Sequence, residues 1–164
     1  MNKVLTTFLL SSLIIIGCRR LPGFEGKVYE NQRFGFSIKI YLGYKKIREQ
    51  EDRAVLFERD GDKVCIVFWR GATEDHKWFR KVFSNPTTRK NELQQFCRNE
   101  EVVEAKKMDI GNCDAFCYKT RGRGYRSLRL EIFPYKKTIR ISLLFRYKNS
   151  EHKILNMIDT IRID

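Results

Sequence analysis

The chain has 164 residues, and its 33 Lys and Arg residues against 20 Asp and Glu give a formal net charge of +13. This length suits one domain with a hydrophobic core, and three prolines, ten glycines and no repeat exclude an array or a low-complexity protein. The charge favours anionic partners, namely nucleic acid, acidic lipid headgroups, lipopolysaccharide or acidic glycans, unless Lys and Arg serve only to keep the surface soluble.

The N-terminus has the pattern of an export signal. Lys3 is followed by an apolar stretch over residues 4–16, and Ile15-Ile16-Gly17-Cys18 has the form of a lipobox. The stretch is shorter than the about 20 residues that a transmembrane helix needs. The segment resembles bacterial lipoprotein signals, which implies a diacylglycerol group on the Cys18 sulfur. The alternatives are an uncleaved N-terminal anchor and an ordinary signal with an incidental cysteine.

These features predict the division of the chain. We expect a lipoprotein signal peptide at residues 1–17, a lipidated tether at 18–26 and a single domain at 27–164. Removal of Lys3 with the signal lowers the net charge to +12. Because an exported protein rarely meets nucleic acid, we expect no nucleic-acid partner and favour anionic envelope or host polymers. The predicted location is the cell envelope, with the chain held in a lipid bilayer through Cys18 on the periplasmic side or the cell surface.

Four cysteines remain once Cys18 is assigned to lipid, and they are Cys65, Cys97, Cys113 and Cys117. An even number in an exported chain indicates disulfides, with three pairings open. In a strand, Cys113 and Cys117 would lie about 13 Å apart, too far for a disulfide. Free buried thiols are the alternative, and no metal site is expected because a nearby histidine and a C-x-x-C motif are both missing.

Period-two patterns predict most of the domain to be strands. In residues 33–41, one face would carry the apolar side chains Phe34, Phe36, Ile38 and Ile40. Further strands are predicted at 53–59, 63–70, 101–109, 113–120, 125–133 and 137–147. Asp60-Gly61 predicts a hairpin. Ile139, Ile141 and Leu143 are predicted core residues of the last strand.

A change to helical periodicity interrupts the strands. Within residues 74–97, one helical face is formed by Trp78, Phe79, Val82 and Phe83. Pro86 breaks this helix, and Thr87 or Thr88 can cap a second one. Asn149 or Ser150 can cap a last helix, and one face of this helix would carry the apolar residues Ile154, Leu155, Ile158 and Ile161. Runs of antiparallel strands with separated helices indicate an α+β fold.

No catalytic motif is present, so we expect neither an enzyme nor a bound cofactor. His76 and His152 are predicted to lie on the polar sides of helices, without partners. Trp69, Trp78 and Phe79 could form the aromatic rim of a pocket, although core packing is favoured.

The segment Arg121-Gly122-Arg123-Gly124-Tyr125-Arg126 is predicted to be a basic hairpin tip. Because guanidinium groups suit phosphate and carboxylate, Arg121, Arg123 and Arg126 are the candidate anion-binding residues.

Four segments resemble the PsbP-like family, including its bacterial lipoprotein members. They are the opening Phe34-Gly35-Phe36-Ser37-Ile38-Lys39-Ile40-Tyr41-Leu42-Gly43-Tyr44, Gly111-Asn112-Cys113-Asp114-Ala115-Phe116-Cys117-Tyr118, residues 135–147 and the closing residues 154–163. Tyr41 stands where the family usually has proline. The resemblance implies an α/β/α sandwich with an antiparallel sheet of about six strands between helices. It also implies a binding or assembly factor; an exported hydrolase with an unrecognised site is the alternative.

Overall fold

The computed structural model describes residues 24–51, 53–135 and 137–164, so Cys18 and the predicted signal lie outside the described residues. Described in chain order, the elements are β1 (Gly26–Asn31), β2 (Phe36–Tyr41), β3 (Lys45–Gln50), β4 (Ala54–Arg59), β5 (Asp62–Arg70), α1 (Thr73–Ser84), α2 (Pro86–Phe96), β6 (Glu101–Asp109), β7 (Cys113–Gly122), β8 (Tyr125–Pro134), β9 (Ile139–Tyr147), α3 (Glu151–Ile158) and β10 (Arg162–Ile163). No helix among these residues has the length and apolar character needed to cross a membrane.

A seven-stranded antiparallel sheet forms the centre of the domain, with the strand order β3-β4-β5-β9-β8-β7-β6. A second, three-stranded sheet has the order β1-β2-β10. The α+β class and the antiparallel sheet are therefore confirmed. The expectation of about six strands is corrected to seven in the main sheet and three in the smaller one.

One face of the large sheet packs against β2 and α3. The predicted alternation holds here, since Phe34, Phe36, Ile38 and Ile40 are all buried. They share a core with residues of β9 and of the last helix, namely Ile141, Leu143, Phe145, Ile154, Met157 and Ile158. Ile139 is only partly buried, at the edge of this core. Leu155 is 38% exposed, so its predicted place on the apolar face of α3 is wrong.

The opposite face carries α1 and α2, whose apolar residues pack against β6, β7 and β8. Phe79, Val82 and Phe83 pack there with the sheet residues Phe116 and Tyr118. Pro86 begins α2 as predicted, yet the cap is the preceding residue: the Asn85 side-chain oxygen accepts hydrogen bonds from the Thr87 and Thr88 amides, at 3.0 and 3.4 Å. Asn85 satisfies amides that the start of a helix leaves without partners.

Three strands escaped prediction, and each has a physical reason. β3 has the sequence KKIREQ and is exposed at every position. Because neither of its faces is buried, its side chains show no alternation of apolar and polar residues. β1 is an edge strand with only one fully buried residue, Asn31. β10 has two residues and is recognised only through its pairing with β2. Edge strands of this kind are held by backbone hydrogen bonds, which a side-chain pattern does not reveal.

All four cysteines of the described chain are free thiols, so the expected disulfides are absent from this structure. Cys113 and Cys117 belong to one strand and to the core beside β2 and α3. Cys97 belongs to the core under α1 and α2, on the other side of the sheet. Cys65 alternates with Val64 and Ile66, which face the core of Cys113, so its side chain points to the opposite face. The sheet thus separates Cys113 and Cys117 on one side from Cys65 and Cys97 on the other.

Candidate functional site

Three turns meet at one end of the domain, and each presents an exposed arginine. Arg33 lies in the turn between β1 and β2, Arg53 at the turn between β3 and β4, and Arg70 at the end of β5. The three side chains line one cavity of about 360 Å³. We call this cavity the arginine pocket; it is also lined by Phe34, Gln50, Ala54, Val67, Phe68 and Trp69.

Local backbone geometry explains how the turns place these arginines. The Phe34 and Gly35 amides donate to the Asn31 and Gln32 carbonyls, each at 3.2 Å, and close the turn that carries Arg33. Gly35 has a φ of +60°, a conformation that glycine adopts without steric cost. The Arg53 carbonyl accepts from the Phe68 amide at 2.8 Å, which ties the β3–β4 turn to β5.

The base of the arginine pocket is aromatic. The rings of Phe34 and Phe68 stack with centroids 4.7 Å apart and an interplanar angle of 14°. The guanidinium carbons of Arg33 and Arg70 lie 6.0 and 5.9 Å from the Phe34 centroid, at the outer limit of a cation–π contact. Both rings are buried, so they support the base of the pocket, while the arginines place positive charge around its rim.

Trp69 is held at the side of this pocket by a charged network. Trp69 is 48% exposed, and the guanidinium of Arg140 lies 5.2 Å from the centroid of its ring. Arg140 is itself paired with Asp75 at 2.8 Å and with the buried Glu131 at 3.4 Å. Burial raises the pKa of Glu131, against the effects of Arg140 and Ser142. Trp69 thus lies at the rim of a pocket, the alternative considered for it from the sequence. Phe79, by contrast, is a core residue.

The charge of the arginine pocket is unbalanced within the described chain. None of its described lining residues is acidic, and Arg33, Arg53 and Arg70 form no ion pair among the residues that the structure describes. Three like charges around a small cavity repel one another and attract an anion. Sequence reasoning missed this site because its three arginines are 20 and 17 positions apart and share no motif.

The predicted hairpin tip exists and differs from the arginine pocket in its surroundings. Arg121 and Arg126 are directly paired across β7 and β8, and both are exposed, as is Arg123 between them. Arg121 lies 3.9 Å from Glu101, and Arg126 is close enough to Glu151 to lower the pKa of that carboxyl, after the larger effect of Lys119. Nearby carboxylates thus compensate part of the charge at the tip.

His76 has partners, contrary to the expectation of an unpartnered surface histidine. Its Nε2 and the Asp114 Oδ2 share a hydrogen bond at 2.7 Å, and its ring stacks on Phe133 with centroids 4.6 Å apart. Arg80 Nε donates to the same carboxylate oxygen at 2.5 Å. Burial opposes ionisation of Asp114, but the hydrogen bonds from His76 and Arg80 outweigh it and lower the pKa. No local sequence pattern indicates this cluster, because Asp114 lies 38 positions from His76.

This cluster pairs a histidine with a carboxylate, an arrangement that also occurs in hydrolytic sites. His76 borders a cavity of about 300 Å³ with Thr73, Thr138 and Lys137, yet within residues 24–51, 53–135 and 137–164 its ring is hydrogen bonded to a carboxylate and to no hydroxyl or thiol. His152 is exposed on α3 as predicted.

The four thiols within the described residues offer no activated nucleophile. Burial raises the pKa of Cys65, Cys97 and Cys113, and it raises the pKa of Cys117 to about 11. A thiol with a raised pKa stays protonated near neutral pH and is a poor nucleophile. Among the residues described, no group of three His, Cys, Asp or Glu side chains is placed to hold a metal ion.

Comparisons with known proteins bear on the fold. No family model and no curated protein matches the sequence. Among solved structures, the chain is similar to the cyanobacterial PsbP protein CyanoP of Synechocystis sp. PCC 6803, with a TM-score of 0.56, 9% identity and coverage of 87% of this chain and 95% of CyanoP. It is also similar to the Ran-binding protein Mog1p of Saccharomyces cerevisiae, with a TM-score of 0.54, 7% identity and coverage of 86% and 96%. The described part of the chain therefore has a PsbP-like domain fold, which it shares with Mog1p.

Proposed function

We propose that this protein is a lipid-anchored, non-enzymatic binding or assembly factor of the cell envelope, and that its arginine pocket binds an anionic ligand. The observation that carries the proposal is the convergence of Arg33, Arg53 and Arg70 on one aromatic-based cavity without a described acidic partner. The lipobox at Cys18 supports the anchor. Mog1p, which has the same fold, is a Ran-binding protein, and this supports a binding role.

The lining of the arginine pocket favours one class of ligand. Guanidinium groups bind carboxylate, sulfate and phosphate oxygens through paired hydrogen bonds. The half-exposed ring of Trp69 offers an apolar surface beside them. An acidic glycan combines both features, because its sugar rings lie against aromatic side chains while its charged groups meet the arginines. Acidic polymers of the envelope or of a host are therefore the proposed ligands.

The test compares two variants of equal charge. Both Arg33→Gln/Arg53→Gln/Arg70→Gln and Arg121→Gln/Arg123→Gln/Arg126→Gln remove three positive charges, from the pocket and from the hairpin tip. We expect the wild type to be retained on heparin at low salt and released as screening shortens the Debye length from about 10 Å at 0.1 M to about 3 Å at 1 M.

Comparison of the two variants distinguishes binding at the arginine pocket from retention by net charge. The pocket variant should elute at clearly lower salt than the tip variant, because no described residue that lines the pocket is acidic, whereas Arg121 of the tip lies 3.9 Å from Glu101. Equal elution of the two variants would show that net charge alone drives retention. Failure of the wild type to bind heparin and acidic-lipid vesicles at low salt would refute anionic-ligand binding altogether.

An exported hydrolase is the alternative proposal, and the His76–Asp114 pair is the observation in its favour. A hydrolase of this kind would need a nucleophile or an activated water beside His76. The test is hydrolysis of ester and amide reporter substrates by the wild type and by His76→Ala. Activity that disappears in His76→Ala would support the enzyme and contradict a purely binding role.

A further inference from the structure

The lipid anchor and the domain are joined by very few residues. Six peptide units connect Cys18 to Phe24, the first described residue, and six residues span at most about 20 Å in any conformation. A compact domain of this length has a radius of gyration of about 15 Å, so its full width exceeds that reach. If Cys18 is lipidated, the part of the domain around Phe24 must lie next to the bilayer.

Contacts of Phe24 define which end of the domain this is. Its ring stacks on Tyr41 at the end of β2, with centroids 4.0 Å apart, and β1 begins beside the same residue, with Gly26 opposite Tyr41. Arg59, at the end of β4, donates to the Leu42 carbonyl at 2.8 Å. The chain therefore enters where β2 and β4 end, whereas the arginine pocket lies where both of these strands begin.

The surface around this end carries three exposed apolar side chains. Val28, Leu42 and Ile47 are exposed to 60%, 44% and 56%. Next to them, Lys27, Lys45 and Lys46 are exposed as well. A cavity of about 630 Å³ lies between the two exposed strands β1 and β3, with Tyr29, Tyr44 and Phe57 among its lining residues. We call the six exposed residues the tether-side face.

We infer that the tether-side face docks on the surface of the lipid bilayer. The inference rests on the proposed lipid anchor. Apolar side chains among lysines suit the interface, because they enter the boundary of the acyl chains while lysine stems extend to the headgroups. Glu49 pairs with Lys46 at 2.6 Å and offsets one of the three lysine charges of the face. Burial of the apolar residues adds to the attraction of the remaining lysine charges.

This orientation has a consequence for the ligand site. β2, which runs from Phe36 near the arginine pocket to Tyr41 near Phe24, spans about 17 Å of extended strand. Docking through the tether-side face would direct the arginine pocket away from the membrane, toward polymers in the aqueous compartment. The anchor would then fix the distance and direction at which the pocket meets its ligand.

The test is lysine footprinting of the full-length protein, processed and lipidated in its own cells, in vesicles of mixed zwitterionic and anionic phospholipid. A water-soluble, membrane-impermeant amine reagent is applied, and modification is measured by mass spectrometry against the same protein in nonionic detergent. Lys46 and Lys77 are a matched pair, because each is exposed and paired with a glutamate three residues away, at 2.6 and 2.7 Å. Lys77 lies in the first turns of α1, near the arginine pocket end.

We expect modification of Lys27, Lys45 and Lys46 to slow severalfold in vesicles while that of Lys77 stays unchanged. Leu42→Glu should abolish this protection and leave Lys77 as before; the exposure of Leu42 makes the variant compatible with folding. Vesicle-bound protein with equal modification at both ends would overturn the docking inference and leave the anchor intact. Protein that does not stay with the vesicles at all would refute the anchor, and the inference with it.

Discussion

Replacement of Ile141 by alanine tests the packing of the central sheet. Ile141 lies on β9, is 0% exposed and belongs to the core between the large sheet and α3. The change removes three buried carbon groups, each with a transfer free energy of about 0.8 kcal/mol. A cavity term of about 24 cal/mol per Å³ adds up to about 2 kcal/mol if the space stays empty. We expect the free energy of unfolding to fall by about 2–5 kcal/mol.

Urea unfolding, followed by tryptophan fluorescence on protein that starts at residue 18 and carries Cys18→Ala, measures this difference. Ile47→Ala is the matched control, because it deletes the same atoms from a side chain that is 56% exposed. The control should change the free energy of unfolding by less than about 0.5 kcal/mol, as surface substitutions do. A loss below about 0.5 kcal/mol for Ile141→Ala, or an equal loss for both variants, would refute the assignment of Ile141 to the core.

Three further predictions follow from named groups. Cys18→Ala should move the protein from the detergent phase to the aqueous phase, or leave an uncleaved precursor; unchanged phase and mass would exclude lipidation at Cys18. Hydrogen bonds from Lys119 lower the pKa of Glu104 and of Glu151. The stability that these two carboxylates contribute is therefore present above the ordinary Glu pKa of 4.5 and is lost as the pH falls below it. Lys119→Gln should lessen this acid-induced loss of stability, as measured by urea unfolding at decreasing pH. Cys117, whose pKa is raised to about 11, should resist a thiol reagent at neutral pH until the protein unfolds, and fast labelling of the native protein would contradict its burial.

The parts of the fold that the sequence predicted are those whose side chains alternate between a core and solvent. Phe34 to Ile40 in β2 and Ile141 to Phe145 in β9 show this alternation and are buried as expected. β3 carries a single apolar residue, Ile47, at an exposed edge and could not be recognised. Its pairing with β4 depends on backbone hydrogen bonds and on the turn at Glu51, where φ is +42°.

The candidate site was harder to predict than the fold, for a reason of topology. Arg121, Arg123 and Arg126 attract notice because they are neighbours in the chain, yet in the structure carboxylates lie near them. The arginines of the pocket come from three separate segments and meet only because β4 and β5 are neighbours in the large sheet and β2 packs against its face. A site made by long-range packing leaves no local signal in the sequence. The same is true of the pairing of His76 with Asp114.

Fluorescence of Trp69 during titration with a short heparin oligosaccharide tests the central claim most directly. Trp69 lines the arginine pocket, and a Trp78→Phe background makes it the only tryptophan of the chain. The account predicts a saturable change in emission that is lost when Arg33, Arg53 and Arg70 become glutamine and is retained when the three hairpin-tip arginines do. Binding that leaves the emission of Trp69 unchanged, or that disappears only in the hairpin-tip variant, would contradict it.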